Sequence, residues 1–163
     1  MLLIKGLLYS VLGHPEVRYL IGPVSISSWY PKFYRSVMIY YIQKKHSIND
    51  FDDYVIPRNP FFPDYLRVKI DDLMQNKMES IEQFDRFLLR LSNNEYRLPT
   101  LVKKYLKINS KIIKFNVDPD FNYCVDGLVL LDLTQISKQE IINLSKDEPD
   151  KYKVYRRFGI EAN

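Results

Sequence analysis

Residues 116–132 gather four aspartates (Asp118, Asp120, Asp126 and Asp132), two asparagines and Gly127 beside a run of β-forming apolar side chains. Acidic turns at strand ends are frequent places for a site. Asp118, Asp120 and Asp126 could converge at one strand end, where a carboxylate would hold a substrate ammonium or accept its proton. The competing use of each aspartate is to close a turn by capping backbone amides, and that use suits Asp118 best. Cys124 has no histidine near it in sequence, so a small buried residue is a better reading than a nucleophile. The second candidate is the cationic segment Lys103-Lys104-Tyr105-Leu106-Lys107. It could meet a carboxylate substrate, a phosphopantetheine arm or an acidic carrier protein, and a solvated helix face explains it as well.

Other chemistries lack their residues. There is no Gly-rich phosphate loop and no G-x-S-x-G or S-x-x-K pattern. One cysteine and two histidines (His14, His46), with no zinc-ligand spacing, argue against a metal site built on them. One cysteine forms no internal disulfide, which fits a reducing, cytoplasmic compartment. The net charge of +4 favours anionic partners only weakly, and no nucleic-acid motif accompanies it, so nucleic acid is not an expected partner. The apolar N-terminus is broken by Lys5 and is too short to span a bilayer, so it reads as an amphipathic helix with Leu3, Leu7, Leu8 and Val11 near one face.

The elements that must position these residues follow from periodicity. Gly13-His14-Pro15 stops the first helix, and 17–26 reads as a strand. Apolar residues on both of its faces predict a central strand covered by helices. Gly22-Pro23 is expected to interrupt its pairing, either as a simple bend or as a gap between strands that admits a ligand. A second helix ends near Lys45, with Tyr34, Val37, Met38, Tyr41 and Ile42 at helical spacing. Residues 47–66 form a proline-broken, aromatic loop expected to be pinned by its rings and to cover a cleft. Two helices are expected over 65–92, the second opened by a Ser80/Gln83 capping box. A short helix begins at Pro99, with Leu101, Val102, Tyr105 and Leu106 inward and the lysines outward. An antiparallel hairpin spans about 111–133, and a helix capped by Ser137 and Glu140 ends near Leu144, with Ile136 and Ile141 as a hydrophobic staple. The charged tail 146–163 is expected to fray, although Tyr152, Val154, Tyr155 and Phe158 could dock.

Three stretches, in order, carry a family likeness: Arg18-Tyr19-Leu20-Ile21-Gly22-Pro23-Val24-Ser25-Ile26-Ser27; Leu98 to Leu106; and Phe115 to Asn122 with Asp126-Gly127-Leu128. Over residues 1–145 the chain resembles the hemolysin-like acyltransferases of the GNAT superfamily, whose relatives make ornithine and glycine lipids. The resemblance implies an α/β (α+β) fold with a GNAT-like sheet and four to six flanking helices. It implies transfer of a fatty or 3-hydroxy-fatty acyl group from acyl carrier protein or acyl-CoA, as donor substrate rather than resident cofactor, to an amino-acid amine. It also implies peripheral contact with the inner face of the cytoplasmic membrane. On this reading Asp126, Asp120 and Asp118 are the catalytic candidates, and Gly22, Ser25, Ser27, Lys103, Tyr105 and Phe121 the substrate-binding ones; no metal is expected.

The likeness also has a gap. Such a domain needs preceding strands and a loop whose amides bind the pantetheine pyrophosphate at a helix N-terminus. The chain is therefore expected to be the C-terminal part of a larger catalyst, completed by an N-terminal half. Some relatives carry an upstream O-acyltransferase domain, whose His-x-x-x-x-Asp motif is not found here. The alternative is an inactive fragment that only docks on a partner.

Overall fold

The β-rich and helical-period segments fold in the expected α+β class. The computed structural model describes residues 2–51, 53–64, 72 and 78–161. Along it run α1 (Leu2–Leu12), β1 (Tyr19–Ile26), α2 (Lys32–Lys45), α3 (Ile81–Leu91), α4 (Thr100–Lys107), β2 (Lys111–Asp118), β3 (Cys124–Asp132), a 3-10 turn (Leu133–Gln135), α5 (Lys138–Ser145) and α6 (Lys151–Arg157). The first helix expected after residue 65, with Ile70, Leu73 and Met74, falls outside the described residues. The chain divides into two compact units, Ile21–Leu130 and the segments Met1–Leu20 with Leu131–Asn163.

In the first unit the hairpin forms as expected. β2 and β3 pair antiparallel, with Val117 opposite Val125, Asn116 opposite Asp126 and Asp118 opposite Cys124, and a bulge falls between Ile112 and Phe115. The strand order is β1-β3-β2. The segment expected at the centre, β1, therefore lies at the edge. Its apolar residues do not all find cover: Val24 and Ile26 are buried, but Ile21 is 63% exposed. β3, buried more continuously, takes the centre. The strand runs through Gly22-Pro23, where an edge position tolerates a residue without an N–H.

The outer edge of β2 is covered by the loop through polar contacts. Asn59 N donates to Asn116 Oδ1 (2.8 Å), Asn59 Nδ2 donates to the Val117 carbonyl (3.2 Å), and Val117 N donates to the Asn59 carbonyl (2.7 Å). A single parallel bridge joins Ser47 to Ile112. Phe61 packs against the core, whereas Tyr54 and Phe62 stay exposed. Capping this edge removes a template for pairing with other chains.

α2, α3 and α4 contribute Val37, Met38, Tyr41, Phe84, Leu88, Val102 and Leu106 to one core with Val24, Ile26, Ile112, Phe115, Val125 and Val129. Tyr41 and Phe84 stack at 3.9 Å between ring centroids. α3 starts with both halves of the expected capping box, Ser80 Oγ accepting from Gln83 N and Gln83 Oε1 from Ser80 N. α4 begins one residue after Pro99, which takes the N-cap position, and its Leu101 turns outward rather than inward.

In the second unit α1, α5 and α6 pack on one another. Val11, Leu133, Ile136, Ile141, Leu144 and Val154 are buried. Ser137 Oγ accepts from Glu140 N, and the buried pair Ile136 and Ile141 occupies the staple positions. The tail does not fray as expected but docks: α6 buries Val154 completely while Tyr152 stays exposed, because one apolar face is enough to hold a charged helix. The side chains of Leu3 and Leu8 lie outside the described residues.

Two predictions follow from this packing. A Cβ on Gly127 would lie 3.0 Å from Phe115 Cε1 and 3.1 Å from Ile112 Cγ2. Gly127→Ala should lower unfolding stability by about 1–3 kcal/mol in urea titration, the usual cost of overpacking. The second concerns His46, whose Nδ1 is buried with no hydrogen-bond partner among the described residues. Burial, reinforced by Lys111 and Lys45, lowers its pKa from 6.5 to about 4. Between those values the unfolded chain binds a proton that the folded chain refuses. Stability should therefore be level above about pH 6.5 and fall on acidification to pH 4 by about 2 kcal/mol, the roughly 3 kcal/mol of the full shift being reduced by solvent screening of the half-buried ring. The slope over that window should vanish in His46→Phe.

Candidate functional site

The two-residue period of β3 decides which candidates meet. Val125, Gly127 and Val129 point to the helices, so Cys124 and Asp126 lie on the other face. On β1, Val24 and Ile26 face the core and Ser25 faces away. On β2, Asn116 and Asp118 stand opposite Asp126 and Cys124. A polar row thus crosses the sheet on the face away from α2–α4: Ser25, Cys124 with Asp126, then Asp118 with Asn116.

The contacts within the row give each residue a role. Cys124 Sγ donates to Asp126 Oδ1 at 3.3 Å. Burial pushes the Cys124 thiol pKa up, and the neighbouring Asp126 carboxylate adds to this, so the sulfur stays protonated and is a poor nucleophile. Asp126 is half-buried. Asp118 Oδ1 accepts from Asp120 N (2.9 Å) and Phe121 N (3.2 Å), which is the turn-closing use. Asp120 is exposed on that turn and does not join the row. Asn122 and Tyr123 complete the tip at φ 52° and 54°, a left-handed pair that is uncommon for a tyrosine.

The same tip presents an aromatic rim that the sequence reading caught only at Phe121. Asn122 Nδ2 donates to Ser28 Oγ (3.1 Å) and Arg35 Nη1 to the Tyr123 carbonyl (3.2 Å), tying the tip to the segment after β1. Phe121 (74%), Tyr123 (64%) and Trp29 (86%) are all exposed there. Ser27 serves this segment as a turn residue, its Oγ accepting from Trp29 N at 3.2 Å. Two large aromatics flanking Asn122, and a lone tryptophan after a strand, were the available signal.

The remaining candidates lie elsewhere. Gly22 occupies the core-facing set of β1, and a Cβ there would meet nothing within 4 Å. Tyr105 packs against the helical core, on the face opposite Asp126. Lys103 does not point freely into solvent. Its Nζ reaches Asp85 Oδ2 at 2.5 Å; Arg97 Nη1 meets the same oxygen at 3.3 Å, and Leu98 N donates to Oδ1 at 3.0 Å. Burial pushes the Asp85 carboxyl up, but these partners outweigh it and hold the pKa below the ordinary carboxylate range. Asp85 is 4% exposed and was missed from sequence, although it stands on the apolar stripe Ile81-Phe84-Asp85-Leu88.

Among the described residues there is no group of three or more His, Cys, Asp or Glu side chains arranged to hold a metal ion, and no helix long and apolar enough to cross a membrane. Neither family models, nor curated proteins, nor solved structures give a match to this chain.

Removing the carboxylate from the clasp strands two cations and an amide. Asp85→Ala should therefore cost about 3–5 kcal/mol, as breaking a buried pair does. Lys103→Met, which leaves Arg97 and Leu98 N in place, should cost clearly less. Chemical denaturation of both variants checks the order, and an equal loss would show that Lys103 alone holds the carboxylate.

Proposed function

We propose that the chain supplies the amine-acceptor side of an N-acyltransferase acting on a fatty acyl thioester. The donor would be acyl carrier protein or coenzyme A, and the acceptor a small amino acid such as glycine or ornithine. The resemblance described above supports the reading. The observation that carries it is the polar row: a half-buried carboxylate, Asp126, beside Cys124, with Ser25 on the neighbouring strand, on the sheet face that α2–α4 leave uncovered.

The chemistry asks for little more than placement. The ammonium of the acceptor gives a proton to Asp126, directly or through water, and the freed amine attacks the thioester carbonyl. The new C–N bond forms a tetrahedral oxyanion that backbone donors would hold. Collapse breaks the C–S bond and expels thiolate, a competent leaving group that takes the second proton of the attacking nitrogen and departs as thiol, so positioning supplies much of the rate. The rim of Trp29, Phe121 and Tyr123 suits contact with an acyl chain or a lipid surface, consistent with a peripheral place on the inner face of the cytoplasmic membrane.

A second reading, a docking module without catalysis, is favoured by β1. β3 is its one strand neighbour among the described residues, and its Ile21 is exposed. One assay separates the two. The protein is incubated with 3-hydroxyacyl carrier protein or acyl-CoA and with glycine or ornithine, and N-acyl product is sought by mass spectrometry. Acyl transfer predicts product in at least one combination and a loss of about 100-fold or more in Asp126→Asn at unchanged thermal midpoint. Asp120→Asn should be nearly silent. Absence of product from every combination removes the catalytic reading and leaves docking.

A further inference from the structure

The unit formed by Met1–Leu20 and Leu131–Asn163 contains a cavity of about 410 Å³ within itself. That is inside the roughly 300–1,000 Å³ span of small-molecule sites. Its apolar part comes from Leu133, Ile136, Ile141 and Phe158, and its charged part from Arg18, Lys138, Arg157 and Glu16.

Two of the three cations are fixed before any ligand arrives. Arg18 Nη2 donates to Asp132 Oδ2 at 2.8 Å, and Arg18 Nε reaches both oxygens of that carboxylate at 3.3 Å. Asp132 is itself held by Thr134, whose N and Oγ1 donate to Oδ1 at 2.9 and 2.7 Å. Arg157 Nη2 donates to the carbonyls of Pro15 (2.8 Å) and Val17 (3.1 Å). Its Nε is buried and has no hydrogen-bond partner among the described residues. A buried donor without an acceptor is costly and points to a group that is missing from the site. Lys138, exposed at the first turn of α5, is the third cation.

Charge then sets the ligand class. Arg18, Lys138 and Arg157 stand against two carboxylates, Glu16 and Asp132, so one positive charge is left over. We infer that this cavity binds a small anionic amphiphile, a carboxylate or phosphate head on a short apolar chain, with the head near Lys138 and Arg157 and the chain over Leu133, Ile136 and Phe158. The site is distinct in composition from the Asp126 row and does not depend on acyl transfer. Its success or failure is therefore read independently of the proposed reaction.

The test uses the full chain and four eight-carbon probes: octanoate, octyl phosphate, octylamine and octanol. Binding is followed by amide chemical shifts and calorimetry. Octanoate, octyl phosphate or both should bind saturably, with a dissociation constant near or below about 1 mM for a ligand of this size. Shifts should centre on residues 15–18, 133–141 and 157–158. The better of the two anions identifies the head as carboxylate or phosphate. Lys138→Glu, an exposed change that should leave the thermal midpoint intact, should weaken anion binding about tenfold or more, while Lys138→Arg should preserve it. The inference is overturned if neither anion saturates, if octylamine or octanol binds as well as the anions, if the shifts centre in 21–130, or if Lys138→Glu leaves affinity unchanged.

Discussion

The constraint on which the first unit depends is the two-residue period of β3 between its two neighbours. β1 and β2 both pair with it, so a slip of one residue would exchange its faces. Val125 and Val129 would leave the core, and Cys124 and Asp126 would enter it. Gly127 shows how tightly the register is held. Phe115 and Ile112 occupy the space a side chain would need, so β2 packs these two side chains across β3 over the residue that lacks one. The polar row is the other side of that packing. Because the odd residues commit to the helices, the even ones define whatever chemistry the sheet can do. For the same reason α4, with Tyr105 and the clasped Lys103, lies on the far side of the sheet from Asp126.

Charged groups here are spent on architecture before they are available to ligands. Asp85 gathers Lys103, Arg97 and the Leu98 amide, fastening α3 to α4 and to the segment that precedes it. Asp132 gathers Arg18 and caps the 3-10 turn through Thr134. The Arg18 hydrogen bonds, with Thr134, lower the Asp132 pKa to about 2. Its stabilising effect is complete above the ordinary value of 3.8 and is lost as pH falls through about 2, well below the window in which His46 acts. The modest positive charge of the chain therefore understates how selectively the remaining cations are placed.

What could be read from the sequence was local. The hairpin at 111–133, the Ser80/Gln83 capping box, the staple of Ile136 and Ile141, and the turn-closing role of Asp118 all rest on residues within a few positions of one another, where periodicity and side-chain capping act. Facts that join distant segments were not legible. Apolar residues on both faces of 17–26 suggested a covered central strand, but only pairing with β3 shows that β1 is the edge and that Ile21 is exposed. Arg18 and Asp132 are 114 residues apart, and no local pattern marks them as partners. The clasped Lys103 misled for a related reason: a lysine run reads as solvated until a carboxylate from another helix is found beneath it. Asp85 carried a usable signal, because a carboxylate on an apolar stripe needs a buried cation.

The chemistry of the row turns on which of its two reactive atoms does work. A cysteine nucleophile requires thiolate, and both burial and Asp126 press Cys124 toward the thiol. The same contact has a different meaning for the carboxylate. Among the described residues Asp126 gains a weak S–H donor, which leaves it acceptor capacity, as the proposed acceptor ammonium would need. Asp85 and Asp132 already accept from guanidinium, ammonium, hydroxyl or backbone amide donors. Among the aspartates of the hairpin, Asp118 is committed to its turn and Asp120 stands in water. The distribution of hydrogen bonds thus leaves Asp126 as the one hairpin aspartate available to serve as the base in the proposed reaction, by accounting for what the others already hold.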